Sequence, residues 1–204
     1  MAPKQRKELM LAWVTLMELH RTELATMLSV EMGKPIADAW GIELRALINT
    51  YRWYAEIADK ELDEISPLGD DLALITREPV GVVAVVTPWN FPLTLSAWKI
   101  APALAVGCTV VHKPADLTPL TAVRIAELAL EAGIPAGVLN VLPGRGSVVG
   151  KGLGLHRAVD SLAFTGSTEV GRAYMEYAAQ SNLKRVWLEL GGKSPALVFD
   201  DAAA

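Results

Sequence analysis

The 204 residues predict an α/β fold: a doubly wound parallel sheet preceded by a block of helices. Three observations carry that reading. From residue 80 onward, short runs rich in Val, Leu and Ala alternate with helical segments. Several of these runs are continuously apolar, as strands become when helices cover both faces of a sheet. The first sixty residues show no such runs and instead repeat apolar side chains at helical spacing.

Taken in order, Leu9, Ala12, Trp13, Leu16, Leu19, Leu24 and Leu28 keep one face apolar, so helix is expected up to "EMGKP" (31–35). There Gly33 suits a left-handed cap and Pro35 lies just beyond it. A second helix is expected over about 35–60. "SPLGDD" (66–71) reads as a turn or loop, and "LALITREPV" (72–80) as an extended arm. Strands are then expected at 80–87, 108–113, 137–142, 161–165, 184–190 and 196–199, with helices near 94–106, 119–132, 147–154 and 168–179. Thr118 and Pro119 fit an N-cap and first helical residue, and Gly133 a C-cap. We read one domain over 1–204, made of helices (1–65), an arm (66–79) and the sheet (80–204); no repeat or low-complexity tract interrupts it.

Apolar content of 51%, charged content of 21% and a net charge of −4 describe an ordinary globular chain. A pI near 5.4 argues against a binder of duplex nucleic acid or of an anionic membrane. The longest apolar run (93–111) is interrupted by Lys99 and Pro102, and a central lysine costs about 2.5–3.5 kcal/mol on insertion. No membrane span is expected. The lone cysteine, Cys108, excludes an internal disulfide framework and suits a reducing, cytoplasmic setting.

In an open parallel sheet, ligands bind outside the carboxyl ends of the strands. Those ends carry the unusual residues: Trp89 and Asn90 in "PWNFP", Lys113 followed by Asp116, Gly144 and Gly146 in "PGRG", Ser167 in "GSTEVG", and Glu189. Singly, each has a plain reading. Lys113 alone is a solvated strand end, Asn90 a turn residue, the glycines turn formers, and Glu189 the partner of Arg185 or Lys193. Together, on one edge, they form a candidate site.

Two nucleotide motifs fail. "GGKS" (191–194) lacks the first glycine of a P-loop, since Trp187 stands there, and "GSTEVGRA" has Arg172 and Ala173 where the lysine and hydroxyl belong. The spacing of Gly144, Gly146 and Gly150 is one residue too long for the dinucleotide fingerprint. What remains is Ser167 with the first N–H groups of a helix, fit for a phosphate, and Lys113 with Asp116, fit for ribose hydroxyls.

"EMGKP", "EPVGVVAVVTPWNFPL", "KIAPALAVGCTVVHKPADLTPL", "GIPAGVLNVLPGRG", "AFTGSTEVG" and "LELGGKSP" together resemble the coenzyme-binding, Rossmann-like part of the aldehyde dehydrogenase superfamily, in register from about Glu31 to Asp201. The resemblance implies oxidation of an aldehyde to a carboxylic acid with NAD, or NADP, and no metal. It implies that Asn90 donates to the oxyanion and Glu189 activates water, aided by an apolar setting that raises its pKa. It further implies that Thr87, Pro88 and Trp89 line the cofactor site and that Lys113 and Asp116 take the adenosine ribose. Gly146 would allow close approach, Gly166, Ser167, Thr168 and Gly171 would form the pyrophosphate turn, and the Leu190 carbonyl would meet the nicotinamide amide. "SNLKRVWLELGGKS" resembles most the branches acting on aminoaldehydes and related aldehydes, and "DDLALITREP" resembles the family's subunit-pairing arm, implying a homo-oligomer.

Three departures matter. Asp116 stands where NAD-preferring relatives usually carry glutamate, and His112 where the position is usually apolar. The family's nucleophilic cysteine lies downstream of "LELGGK", so the chain reads as a fragment that does not complete aldehyde oxidation by itself. Two other readings stay open: a non-catalytic dinucleotide-binding or assembly module, and, third, a P-loop-like NTPase.

Overall fold

Helix α1 (Pro3–Leu19) and α2 (Arg21–Met32) are split at His20, whose backbone leaves the helical region. The computed structural model describes residues 1–202. Gly33 ends α2 in the left-handed conformation (φ 75°), and its N–H donates to the Ser29 carbonyl. The second helical stretch runs through α3 (Ile36–Asp38), an expanded π-helical turn (Ala39–Glu43) and α4 (Leu44–Ile57). Trp13 of α1 is fully buried against Tyr51 of α4, and its indole donates to the Ile125 carbonyl, 3.0 Å away.

The arm is an antiparallel hairpin, β1 (Glu64–Leu68) and β2 (Asp71–Ile75), turning at Gly69 with φ 65°. Residues 66–68, expected in a loop, are therefore strand. Glycine supplies the positive φ that confines the turn to Gly69 and Asp70 and leaves both flanks free to pair.

The sheet follows: β3 (Val82–Val86), α5 (Pro92–Ala105), β4 (Thr109–Lys113), α6 (Leu120–Glu131) and β5 (Leu139–Val141). A π-helical turn (Gly146–Gly150) leads into α7 (Lys151–Leu155), then β6 (Ser161–Gly166), α8 (Thr168–Ala179) and β7 (Arg185–Leu190). The strand order is β5-β4-β3-β6-β7, and every pairing is parallel. Alternate residues of β3 explain its unbroken apolar run. Val83 and Val85 pack with α1, α2 and α4–α6, whereas Ala84 and Val86 pack with Leu153 of α7 and Tyr174 of α8.

Two further expectations fail. Thr118 does not cap α6: its hydroxyl has no partner, and Leu120 N–H (2.8 Å) and Thr121 N–H (3.4 Å) donate to the Glu31 carboxylate of α2. An ionised oxygen at a helix N-terminus outcompetes a neutral hydroxyl. Glu31→Ala is expected to lower stability by about 1–2 kcal/mol, or a Tm drop of about 2–8 °C by calorimetry. Residues 196–199 form no strand: Leu197, Val198 and Phe199 are exposed, and no neighbouring strand among the described residues pairs with them. Apolar composition alone does not hold a strand without a ladder. Among the described residues, no helix is long and apolar enough to cross a membrane.

Candidate functional site

The chain winds outward from β3 through β4 to β5, then returns to lay β6 and β7 on the other side of β3. The crevice between the carboxyl ends of β3 and β6 is therefore the switch point of the sheet. The loop Thr87–Phe91 and the turn Gly166–Thr168 flank it, and the parallel register puts the ends of β4, β5 and β7 on the same edge.

Lys113 is not a solvated strand end. Its side chain is 4% exposed, and its ammonium donates to the Pro114 carbonyl (2.6 Å) and to Asp116 Oδ1 (2.9 Å). Its stem lies beside Gly150, where an added Cβ would fall 2.6 Å from the Tyr174 hydroxyl. Two partners leave the third ammonium proton for a ligand, and Asp116 stays accessible at the rim. On the other face of β4 His112 is buried, with Nε2 2.9 Å from the Thr87 hydroxyl. Burial, reinforced by the neighbouring Lys113 charge, pushes the imidazole down to about 3, so it is neutral. Thr87 thus spends its hydroxyl inside the sheet, and its N–H on the Lys113 carbonyl.

Ser167 caps α8, its hydroxyl accepting from Val170 N–H at 3.3 Å. The N–H groups of Thr168 and Glu169 carry no hydrogen bond among the described residues, so this twelve-residue helix presents free donors at the crevice. Gly146 is exposed, with nothing within 4 Å of where a Cβ would be. Gly166 and Gly171 face inward instead. Added Cβ atoms there would meet the Phe164 ring at 2.4 Å and the Leu190 side chain at 2.7 Å, so these glycines set the packing of β6 and α8.

Trp89 is exposed beside half-buried Pro88. Asn90 makes the local bond a turn requires, its Oδ1 accepting from Phe91 N–H at 3.1 Å, and this leaves its Nδ2 group unpaired among the described residues. Glu189 pairs with neither Arg185 nor Lys193.

The apolar setting expected for Glu189 is not found: its side chain is exposed. Leu188 and Leu190 flank it in sequence but point to the other face of edge strand β7, where Leu190 packs against Gly171. The face Glu189 does occupy is a groove shared with Trp98, Lys99 and Trp187. Lys99 is half-buried; burial lowers its pKa and the Glu189 charge partly restores it. Lys99 and Trp98 were missed as site residues. The available signal is a lysine inside the otherwise apolar α5.

Cys108 is buried at the amino edge of the sheet. The register places it six residue rows below Glu189, roughly 20 Å along the strands. The "GGKS" segment is exposed, no helix follows it among the described residues, and Lys193 donates to its neighbour's carbonyl (Gly192, 3.3 Å), so those residues do not form the phosphate-binding helix of a P-loop.

The model of the aldehyde dehydrogenase family matches residues 1–204. An aminoacetaldehyde dehydrogenase of Pseudomonas aeruginosa is 55% identical over 200 residues, covering 98% of this chain and 40% of that protein. An NADP/NAD-dependent aldehyde dehydrogenase of Escherichia coli is 47% identical, covering 98% of this chain and 41% of that protein. Among solved structures, the P. syringae indole-3-acetaldehyde dehydrogenase AldA in complex with NAD+ and IAA superposes with a TM-score of 0.94 at 53% identity, covering 100% of this chain and 41% of that one. The chain thus spans about two fifths of the length of these relatives. The sheet order and the family match agree: this chain belongs to the aldehyde dehydrogenase family.

Proposed function

We propose that the chain is a coenzyme-binding unit of an NAD(P)-dependent aldehyde dehydrogenase, acting on an aminoaldehyde or similar short aldehyde. The observation that carries this is the buried Lys113, anchored by Asp116 at the carboxyl edge beside an unpaired helix N-terminus. A dinucleotide fits that donor set. Lys113 and Asp116 hold the adenosine ribose, the N–H groups of Thr168 and Glu169 with Ser167 meet the pyrophosphate, and Gly146 leaves room for close approach. Trp89 and Pro88 wall the crevice and the Leu190 carbonyl accepts from the nicotinamide amide, while Thr87, Gly166 and Gly171 shape the site from beneath.

NAD+, when bound, supplies a hydride acceptor. The protein's own residues do the rest. The Asn90 Nδ2 group, set free by the turn bond of its Oδ1, donates to a developing oxyanion, a contribution of about 2.7–4 kcal/mol for such donors. Glu189 takes a proton from water, and Lys99, sharing its groove, is placed to exchange that proton onward. Negative Asp116 disfavours a 2′-phosphate, so NAD is preferred over NADP. The exposed Ile65, Leu68, Leu72 and Leu74 of the hairpin suit pairing with a second copy, in a reducing, cytoplasmic setting.

Calorimetric titration of this chain with NAD+ is expected to show saturable one-to-one binding, weaker for NADP+. Absence of saturable binding to either would overturn the reading, and stabilisation by ATP with magnesium in its place would restore the NTPase alternative.

A further inference from the structure

The loop that presents Trp89 and Asn90 is poorly held by its own strand. It lies between Pro88 and Pro92, neither of which has an N–H to donate, and its internal bond is the short-range one from Phe91 to Asn90. From elsewhere in the described chain, the segment Trp89–Phe91 receives one side-chain hydrogen bond: Lys34 Nζ donates to the Asn90 carbonyl at 3.1 Å. The same ammonium lies 3.9 Å from the centroid of the Phe91 ring and is paired with the carboxylate of Glu43. Its three protons are thus matched by a carbonyl, a ring face and a carboxylate.

Both residues are fixed at their roots. The Ser29 hydroxyl donates to the Lys34 carbonyl at 2.7 Å. Glu43 closes the π-helical turn, is completely buried, and accepts from Leu93 N–H at 2.9 Å and Thr94 N–H at 3.5 Å, the first free donors of α5. An inserted residue in a helix re-aims the side chains after it, and such turns recur at functional sites. Here it brings a carboxylate from the helical block to the start of the helix that follows the loop.

We propose that Lys34 and Glu43 are positioning residues for the Asn90 amide, a tether from the N-terminal helical block that holds the Asn90–Phe91 part of the loop and the first turn of α5 that follows it. The functional sense of this tether rests on the reading of Asn90 as an oxyanion donor; its mechanical sense does not. Neither residue touches the crevice. Each acts through the backbone of the loop and the first turn of α5.

Hydrogen exchange by mass spectrometry on the whole chain tests this without any ligand. In Lys34→Met, the amides of Phe91, Leu93, Thr94 and Leu95 are expected to exchange at least tenfold faster, while peptides from β3, β4 and β6 keep their rates. Lys34→Arg, which retains a cation, is expected to recover most of the protection. Should Lys34→Met fail to fold, Glu43→Gln carries the same expectation for Phe91, since it keeps an oxygen for Leu93 N–H but not the charge that holds the ammonium. Unchanged exchange at these amides, an equal rise across the strands, or no recovery with arginine would each overturn the proposal. A failure of NAD+ to bind the parent chain would sink the coenzyme reading and leave the exchange result untouched.

Discussion

Between pH 6.5 and 4.5 the chain is expected to lose about 2 kcal/mol of folding stability through His112 alone, with a slope approaching about 1.4 kcal/mol per pH unit. The sign follows from the two end states. In the unfolded chain the imidazole takes up a proton near 6.5; in the fold, burial and then the Lys113 charge hold it neutral down to about 3. The unfolded state therefore binds more protons throughout that window, so stability is full above pH 6.5 and drains as the pH falls. His112→Gln keeps a group able to reach the Thr87 hydroxyl but cannot titrate, and urea unfolding of this variant should show the slope removed. If variant and parent lose stability in parallel, the buried imidazole is not the cause. The expectation matters for the site as well, because protonated His112 would place a second cation next to Lys113 at the end of β4, on the opposite face of the sheet.

That His112 deserved notice was visible in the sequence; that its partner is Thr87 was not. The distinction is general along this chain. The carboxyl edge of the sheet was legible because strands alternating with helices can close in parallel in few ways, and each strand then delivers its following residues to one side. Gly33 and Gly133 were legible because a left-handed residue after a helix is a local requirement, and both have positive φ.

What escaped depends on contacts across long stretches of chain. Glu31 caps a helix 89 positions away, Lys34 grips a loop 56 positions away, and no local pattern distinguishes either from a solvated side chain. Glu189 shows the opposite failure. Its leucine neighbours suggested an apolar pocket, but in a strand, adjacent residues in sequence point to opposite faces, so they say nothing about what surrounds it. Residues 196–199 failed because strand formation needs a partner, which composition does not supply.

Lys113→Met is the substitution expected to weaken NAD+ binding most, by about ten- to a hundredfold, the loss of about 1.5–3 kcal/mol that a hydrogen bond from a charged donor contributes. The fold should tolerate the change. Methionine fills the volume of the lysine stem against Gly150 and Tyr174, while Asp116, left without its cation, is 46% exposed and can be hydrated. Arginine should not rescue it, because a planar guanidinium needs more room than a site where even a Cβ on Gly150 would crowd Tyr174. The position of Lys113 also dictates which half of the ligand feels the loss. ADP-ribose should weaken in parallel with NAD+, whereas any binding of nicotinamide mononucleotide should be unaffected. Removing the negative charge with Asp116→Asn should narrow the gap between NAD+ and NADP+, since it is that carboxylate at the rim which a 2′-phosphate would meet. Titration of the parent and these variants, with melting temperatures to establish that each is folded, decides the matter. NAD+ affinity within twofold of the parent in folded Lys113→Met would mean that the buried ammonium serves only to tie the end of β4 to the turn that follows it.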